Sequence, residues 1–204
     1  LITQGPIVRE FEKKICKILN VKYAVAVSSC TAGLHLSLQA INKNKNRNRN
    51  RVITSPISFV STANMIIQNK LKPEFIDIDS NTLNICSAKL KKKISKNNNI
   101  SAIVPVHLGG FADSNLDIFK NWKNKKLAFT KNKPNTWYYE MQDLGFNYRL
   151  TDFQCALGLS QIKKLNFISK YREKLAKKYD EEFCGIKNLF IPQLNKRKLS
   201  SNHL

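Results

Sequence analysis

No apolar run in the sequence is long enough to span a bilayer. The first residues, LITQGPIVREFEKK, lack the basic region, apolar run and small-residue cleavage site of a secretory signal. An initiating methionine is also missing, which suggests a chain that begins inside a longer frame. The five cysteines (Cys16, Cys30, Cys86, Cys155 and Cys184) are odd in number and show no CxxC spacing. That argues against a disulfide framework or a metal site, and for the reduced thiols of a cytoplasmic protein. Neither GxGxxG nor GxxxxGK(S/T) occurs, so dinucleotide-type and P-loop phosphate binding have no support. Acidic residues are scarce: 14 Asp and Glu stand against 35 Lys and Arg, a net charge of +21.

Such a charge invites a nucleic-acid function. Its distribution argues against one. Lys far outnumbers Arg, and the basic residues are interleaved with Asn, as in NKNKNRNRNR and KLKKKISKNNN. These tracts read as solvated loops and faces without the Arg forks and stacking aromatics of a recognition surface. A weak, non-specific attraction to polyanions is expected, and no specific nucleic-acid partner.

What is present is a chain of 204 residues, 42% hydrophobic, enough for a substantial core. Strand and helix patterns alternate. GPIVREFEKKICKIL sets Ile7, Phe11, Ile15 and Ile18 on one helical face behind Pro6. Strands are predicted at 23–27 (YAVAV), 51–54 (RVIT), 73–79 (PEFIDID) and 102–106 (AIVPV). Helices are predicted at 31–41, 58–69, 87–95 and 114–124, with a long helix from Thr151-Asp152 past Tyr171. This βα alternation implies an α/β fold with a largely parallel sheet covered by helices. After FKNWKNKK another apolar strand is due. An aromatic, turn-like stretch, LAFTKNKPNTWYYEMQDLGFN, follows instead, so the chain leaves the pattern before the sheet is complete.

The junction in VAVSSCTAGLHLSL is a strand end, Ser28-Ser29-Cys30-Thr31, running directly into a helix. Backbone N–H groups at a helix start, with the dipole behind them, form an anion site. The plainer explanation of Ser or Thr there is an N-cap, and this stretch alone favours it. Phe59, at the next strand–helix turn, is by itself most simply a core aromatic.

Taken in order, five segments resemble the DegT-type nucleotide-sugar aminotransferases: GPIVREFEKKICKILNVKYAVAVSSCTAGLHLSLQAI, VITSPISFVSTANMI, PEFIDID, AIVPVHLGG and GFNYRLTDFQCALGLSQIKKL. The resemblance implies a pyridoxal-phosphate enzyme of the aspartate-aminotransferase fold (type I PLP transferase). Residues 1–150 would be an incomplete large, cofactor-binding domain. Residues 151–204 would be a long helix and the beginning of a small C-terminal domain, shortened at its end. SPISFVSTANM is most similar to the branch that aminates C4 of a UDP-4-keto-6-deoxy-N-acetylhexosamine for pseudaminic acid synthesis, with glutamate as donor and a homodimer as the working form. In site terms the resemblance implies that Cys30 and Thr31 hold the cofactor phosphate and that Phe59 stacks on the pyridine ring. Asn147 would reach the phosphate across a dimer interface. Arg149 and His107 are candidates for substrate or interface contacts. A turn ahead of a capped helix, and a structural histidine, are the plainer explanations of those last three.

Two groups that transamination needs are missing. The family's pyridinium-pairing aspartate lies in an E-D-x-x-H-A pattern and its Schiff-base lysine in S-F-H-x-x-K; the sequence holds neither. The lysine is both nucleophile and proton carrier, and the aspartate makes the ring an electron sink. Lys125, Lys126, Lys131 and Lys133 lie in a polar stretch with nothing to lower a pKa, so no catalytic residue is assigned. The expected function is therefore a sugar transaminase by descent that is inactive as it stands. The alternatives are a non-catalytic remnant that binds phosphate ligands or pairs with a full-length relative and, less favoured, a basic nucleic-acid binder.

Overall fold

The computed structural model describes residues 5–43, 49–110, 146–191 and 200–202. Its centre is a three-stranded, fully parallel sheet of β1 (Arg51–Thr54), β2 (Lys72–Phe75) and β3 (Ile100–Val104), in the order β2-β1-β3. β1 lies in the middle, and Val52, Ile53 and Thr54 are fully buried. Successive side chains of a strand point to opposite faces, so this one strand organises both halves of the core. Ile53 packs with Ile76, Ile85, Leu90 and Ile100, under α4 (Ser87–Lys96). Val52 packs with Leu38, Ile66 and Leu71, under α2 (Cys30–Lys43) and α3 (Ser61–Gln68). A parallel sheet covered on both faces is the expected result of βα alternation. Pro73 is tolerated because β2 is an edge strand among the described residues.

α1 (Pro6–Leu19) has the expected proline in its first turn and ends at Asn20, whose left-handed φ of 52° suits Asn. It packs against α5 (Asp152–Lys163), where the Phe11 ring lies over Gly158. Its apolar face is thus covered without any residue becoming fully buried. α5 starts in a complete capping box: the Thr151 side chain accepts from the Gln154 N–H, and the Gln154 amide oxygen accepts from the Thr151 N–H.

Two expectations need correction. Residues 23–27 do not form a strand. Among the described residues they make a single antiparallel bridge, from Val27 to Arg149, and Val25 is exposed. A strand needs a ladder partner along its length, and the Ala26 N–H is satisfied instead by Glu12 Oε1 (2.9 Å). The long C-terminal helix is divided at Lys164 into α5 and α6 (Leu165–Phe183). The predicted helix at 114–124 lies outside the described residues. No described helix is long and apolar enough to cross a membrane.

Candidate functional site

The chain's candidate residues gather at the carboxyl edge of the sheet, where α/β proteins bind ligands. The two helices on one face fix this. The Asn42 side chain donates to the Asn69 carbonyl (2.9 Å) and the Asn69 side chain to the His35 carbonyl (3.3 Å), which ties the C-terminal end of α3 to the middle and end of α2. The helices therefore run side by side in one direction. The eight residues of α3 rise about 12 Å, which returns its start, and Phe59 just ahead of it, to the level of the first turn of α2.

The Ser28–Thr31 junction divides its labour. Ser29 is the N-cap: its Oγ accepts from the Ala32 N–H (3.0 Å), and its carbonyl accepts from Gly33 (3.1 Å). The capping explanation is thus right for Ser29 and leaves its neighbours unused. The N–H groups of Cys30 and Thr31 and the Thr31 hydroxyl take no partner among the described residues. Cys30 is exposed and Thr31 half-buried. These donors, with the dipole of a 14-residue helix behind them, can hold a phosphate or carboxylate. Phe59 is 77% exposed and so is no core aromatic; its ring is free to cover a planar ligand.

The 146–150 segment docks directly on the junction. Ser28 N–H donates to the Tyr148 carbonyl (2.8 Å), next to the Val27–Arg149 bridge. The Tyr148 N–H closes on the Phe146 carbonyl (3.1 Å), which places exposed Asn147 at the apex of a tight turn. The flanking rings stack on each other (centroids 5.2 Å apart) and both lean on His35 of α2. Tyr148 Oη and His35 Nδ1 lie 3.1 Å apart, in hydrogen-bond contact. Asn147 and Arg149 are thereby brought to the junction. His107 follows β3 at the same edge, exposed, and its imidazole has no partner among the described residues. The Gly109–Gly110 turn beyond it receives the tail: Ser200 Oγ donates to the Gly109 carbonyl and the Ser201 N–H to that of Gly110.

Sequence reasoning missed the supports of this site. Glu12 holds the backbone ahead of the junction, and buried His35 anchors the aromatic pair. Asp152 accepts from the Val8 N–H (3.0 Å), fixing α1, which in turn carries Glu12. A histidine amid leucines in GLHLSL, and aromatics on both sides of Asn147, were the available signals. No group of three or more His, Cys, Asp or Glu among the described residues could hold a metal ion.

The sequence model of the DegT/DnrJ/EryC1/StrS aminotransferase family matches residues 1–126 and 123–204. The two matches meet at the point where the βα pattern breaks off. A UDP-4-amino-4,6-dideoxy-N-acetyl-beta-L-altrosamine transaminase of Campylobacter jejuni is 31% identical over 264 residues, covering 100% of this chain and 69% of the relative. The spore coat polysaccharide biosynthesis protein SpsC of Bacillus subtilis is 30% identical, covering 94% of this chain and 65% of its own length. The chain thus spans about two thirds of the curated relatives it matches. The Campylobacter alignment of 264 positions holds a chain of 204 residues, so about 60 positions have no residue here. Among solved structures, Helicobacter pylori PseC, an aminotransferase involved in the biosynthesis of pseudoaminic acid, superposes with a TM-score of 0.81 at 28% identity, covering 100% of this chain and 70% of PseC. The fold is that of the type I PLP-dependent aminotransferases.

Proposed function

Because the chain belongs to the DegT/DnrJ/EryC1/StrS aminotransferase family, whose cofactor is pyridoxal phosphate, we propose that it binds this cofactor, or pyridoxamine phosphate, without covalent capture. The unused donors at the start of α2, left open because Ser29 alone does the capping, are the observation that carries this reading. Thr31 Oγ1 and the N–H groups of Cys30 and Thr31 hold the phosphate. Phe59 covers one face of the pyridine ring and keeps water from it. Asn147, at its turn apex, serves a phosphate across a homodimer interface, with Arg149 and His107 toward substrate or interface. When bound in an intact enzyme of the family, the cofactor supplies an electron sink for amino transfer. The sequence carries neither the family's lysine motif nor its aspartate motif, so on this reading transamination is absent or very slow. The ancestral reaction is amination at C4 of a UDP-4-keto-6-deoxy-N-acetylhexosamine by glutamate in the cytoplasm, for surface-sugar synthesis. Residues 1–150 are the remnant of the large domain, and residues 151–204 open the small one.

The test is a titration of labelled protein with pyridoxal phosphate, followed by NMR, with borohydride reduction and mass spectrometry in parallel. Weak, reversible shifts at 28–34 and 59 are expected. Thr31→Val weakens binding, and Phe59→Ala weakens the cofactor but not inorganic phosphate. Shifts confined to the 89–96 lysines would refute the site, and stoichiometric labelling of one lysine would refute the missing covalent step.

A second reading, pairing with another copy or with a full-length relative, is favoured by the exposed aromatics of α5 and α6: Phe153, Phe167, Tyr171 and Tyr179. Light scattering over a concentration series distinguishes it, since a strictly monomeric chain contradicts it.

A further inference from the structure

We propose that the outer edge of β3 pairs with the same edge of a second copy of this chain, as two antiparallel strands related by a two-fold axis at Ile103. Among the described residues β3 is an edge strand, as β2 is on the other side of β1. An open edge presents unpaired N–H and carbonyl groups to other chains and is normally guarded by charge or proline. The two edges of this sheet differ in that respect.

The β2 edge is guarded. The Lys72 and Ile76 N–H groups face β1, donating to the Asn50 and Thr54 carbonyls. Alternation then turns Pro73 outward, where it has no N–H to offer. Lys72 is exposed, and Glu74 pairs with Arg51 and Lys93. β3, with the sequence ISAIV, carries neither charge nor proline along its length. Its Val104 carbonyl faces β1, where it accepts from Thr54 Oγ1 (2.9 Å). The N–H and carbonyl of Ile103 therefore face away from β1, and they take no partner among the described residues. Burial tells the same story. Val52, Ile53 and Thr54 of β1 are fully buried, whereas Ala102, Ile103 and Val104 opposite them are half-buried, although all three pack on the core clusters. Both faces of β3 thus stay partly open along the flank away from β1.

Charge and symmetry select a second copy as the occupant. Two chains of net charge +21 repel each other, but β3 is uncharged and is flanked by Asn97–Asn99 and by Pro105 and Val106, so the seam sets no cations against one another. An acidic partner, in contrast, finds no cation on this strand to meet. A two-fold axis sets one surface against itself. Placed at Ile103, it makes a hydrogen-bonded pair in which each Ile103 N–H donates to the carbonyl of its counterpart, with β-branched side chains opposite each other. The contact uses neither the cofactor site nor the exposed aromatics of α5 and α6. A contact of five residues a side is small beside stable interfaces, so the dimer should dissociate on dilution.

The test is sedimentation velocity of the full chain over a concentration series, at low and high salt, with amide hydrogen exchange on the same samples. A monomer–dimer equilibrium is expected that moves toward dimer as salt rises, because screening removes the repulsion between copies. Exchange at the Ile103 amide should slow as the dimer forms, by roughly tenfold when nine-tenths of the chain is paired. The Val104 amide, turned to β1, should not respond. Ile103→Lys and Ile103→Glu each set like charges opposite one another at the axis and should be monomeric, whereas an equimolar mixture of the two should pair. Ile103 also packs on the core, so if either variant loses the wild-type circular dichroism, exchange in the unaltered chain decides alone. A chain that stays monomeric at every concentration overturns the proposal. So does a dimer whose Ile103 exchange ignores concentration, since that assigns the contact to another surface such as the α5–α6 aromatics.

Discussion

Asp152 offers the sharpest test of how the molecule is held together. Its carboxylate is buried (7% exposed) and stands at the first turn of α5, yet its hydrogen bond goes to the Val8 N–H of α1, 144 residues away. α1 needs it: Gly5, its N-cap, has no side chain to offer. One carboxylate therefore serves two helix N-termini. Asp152→Ala removes a cap worth about 1 kcal/mol. It also removes the charge from two dipoles at about 0.3–1 kcal/mol each. Together these give a loss of about 2 kcal/mol. With a urea slope of about 2 kcal/mol/M, the unfolding midpoint should fall by about 1 M with the slope unchanged. Asp152→Asn keeps an acceptor but loses the charge, so its loss should be about half as large. Gly5→Asp in the Asp152→Ala background gives α1 a cap of its own and should recover about 1 kcal/mol. If Asp152→Ala stays within about 0.5 kcal/mol of wild type, the range of ordinary surface changes, the shared-cap account is wrong.

Gly158→Ala would place a Cβ 2.6 Å from Phe11 Cε2, costing about 1–3 kcal/mol, and pairing it with Phe11→Leu should recover part of the lost thermal stability. Burial, then the Asp152 and Glu12 carboxylates, raise the Cys155 thiol pKa. The unfolded chain therefore loses this proton first, the stabilisation is complete below the ordinary thiol pKa, and it fades as pH climbs toward the raised folded value. Urea midpoints should fall across that alkaline window less in Cys155→Ala than in wild type, and a thiol reagent should label exposed Cys30 and Cys184 well before Cys155. Burial opposes ionisation of Glu74, but hydrogen bonds from Lys93 and Arg51 outweigh it and hold the carboxyl below its ordinary value. That stabilisation is present above the ordinary carboxylate pKa and is lost as pH falls through the lowered folded one; Glu74→Gln should flatten the acid limb, and an unchanged limb would contradict the assignment.

The parts of this fold that were legible in the sequence are those fixed by local pattern. Val52-Ile53 read as strand because both faces of β1 are covered, and α2 read as helix because Leu38 and its neighbours return to one face. YAVAV is an equally good strand by pattern. It fails because pairing is non-local: among the described residues its end bridges only to Arg149, and Glu12 takes the Ala26 N–H. The break at Lys164 was invisible for a similar reason, since the helical signal runs straight through it. At the candidate site, Ser29 and Thr31 carry the same functional group, and composition cannot say which one caps. Once Ser29 is seen to do so, Thr31 becomes available. The break in the βα pattern, by contrast, was legible because a helix on a parallel sheet commits the chain to another strand. The sequence shows no apolar strand pattern directly after 123–126, where the two family matches also meet. The donors of Cys30 and Thr31, Phe59 and the β1 core all precede that point, whereas the family's lysine and aspartate motifs have no counterpart after it. An anion site made of backbone donors and a helix dipole forms with its own helix. A covalent catalytic centre requires two further side chains delivered by distant segments. The chain can therefore keep the first and lack the second.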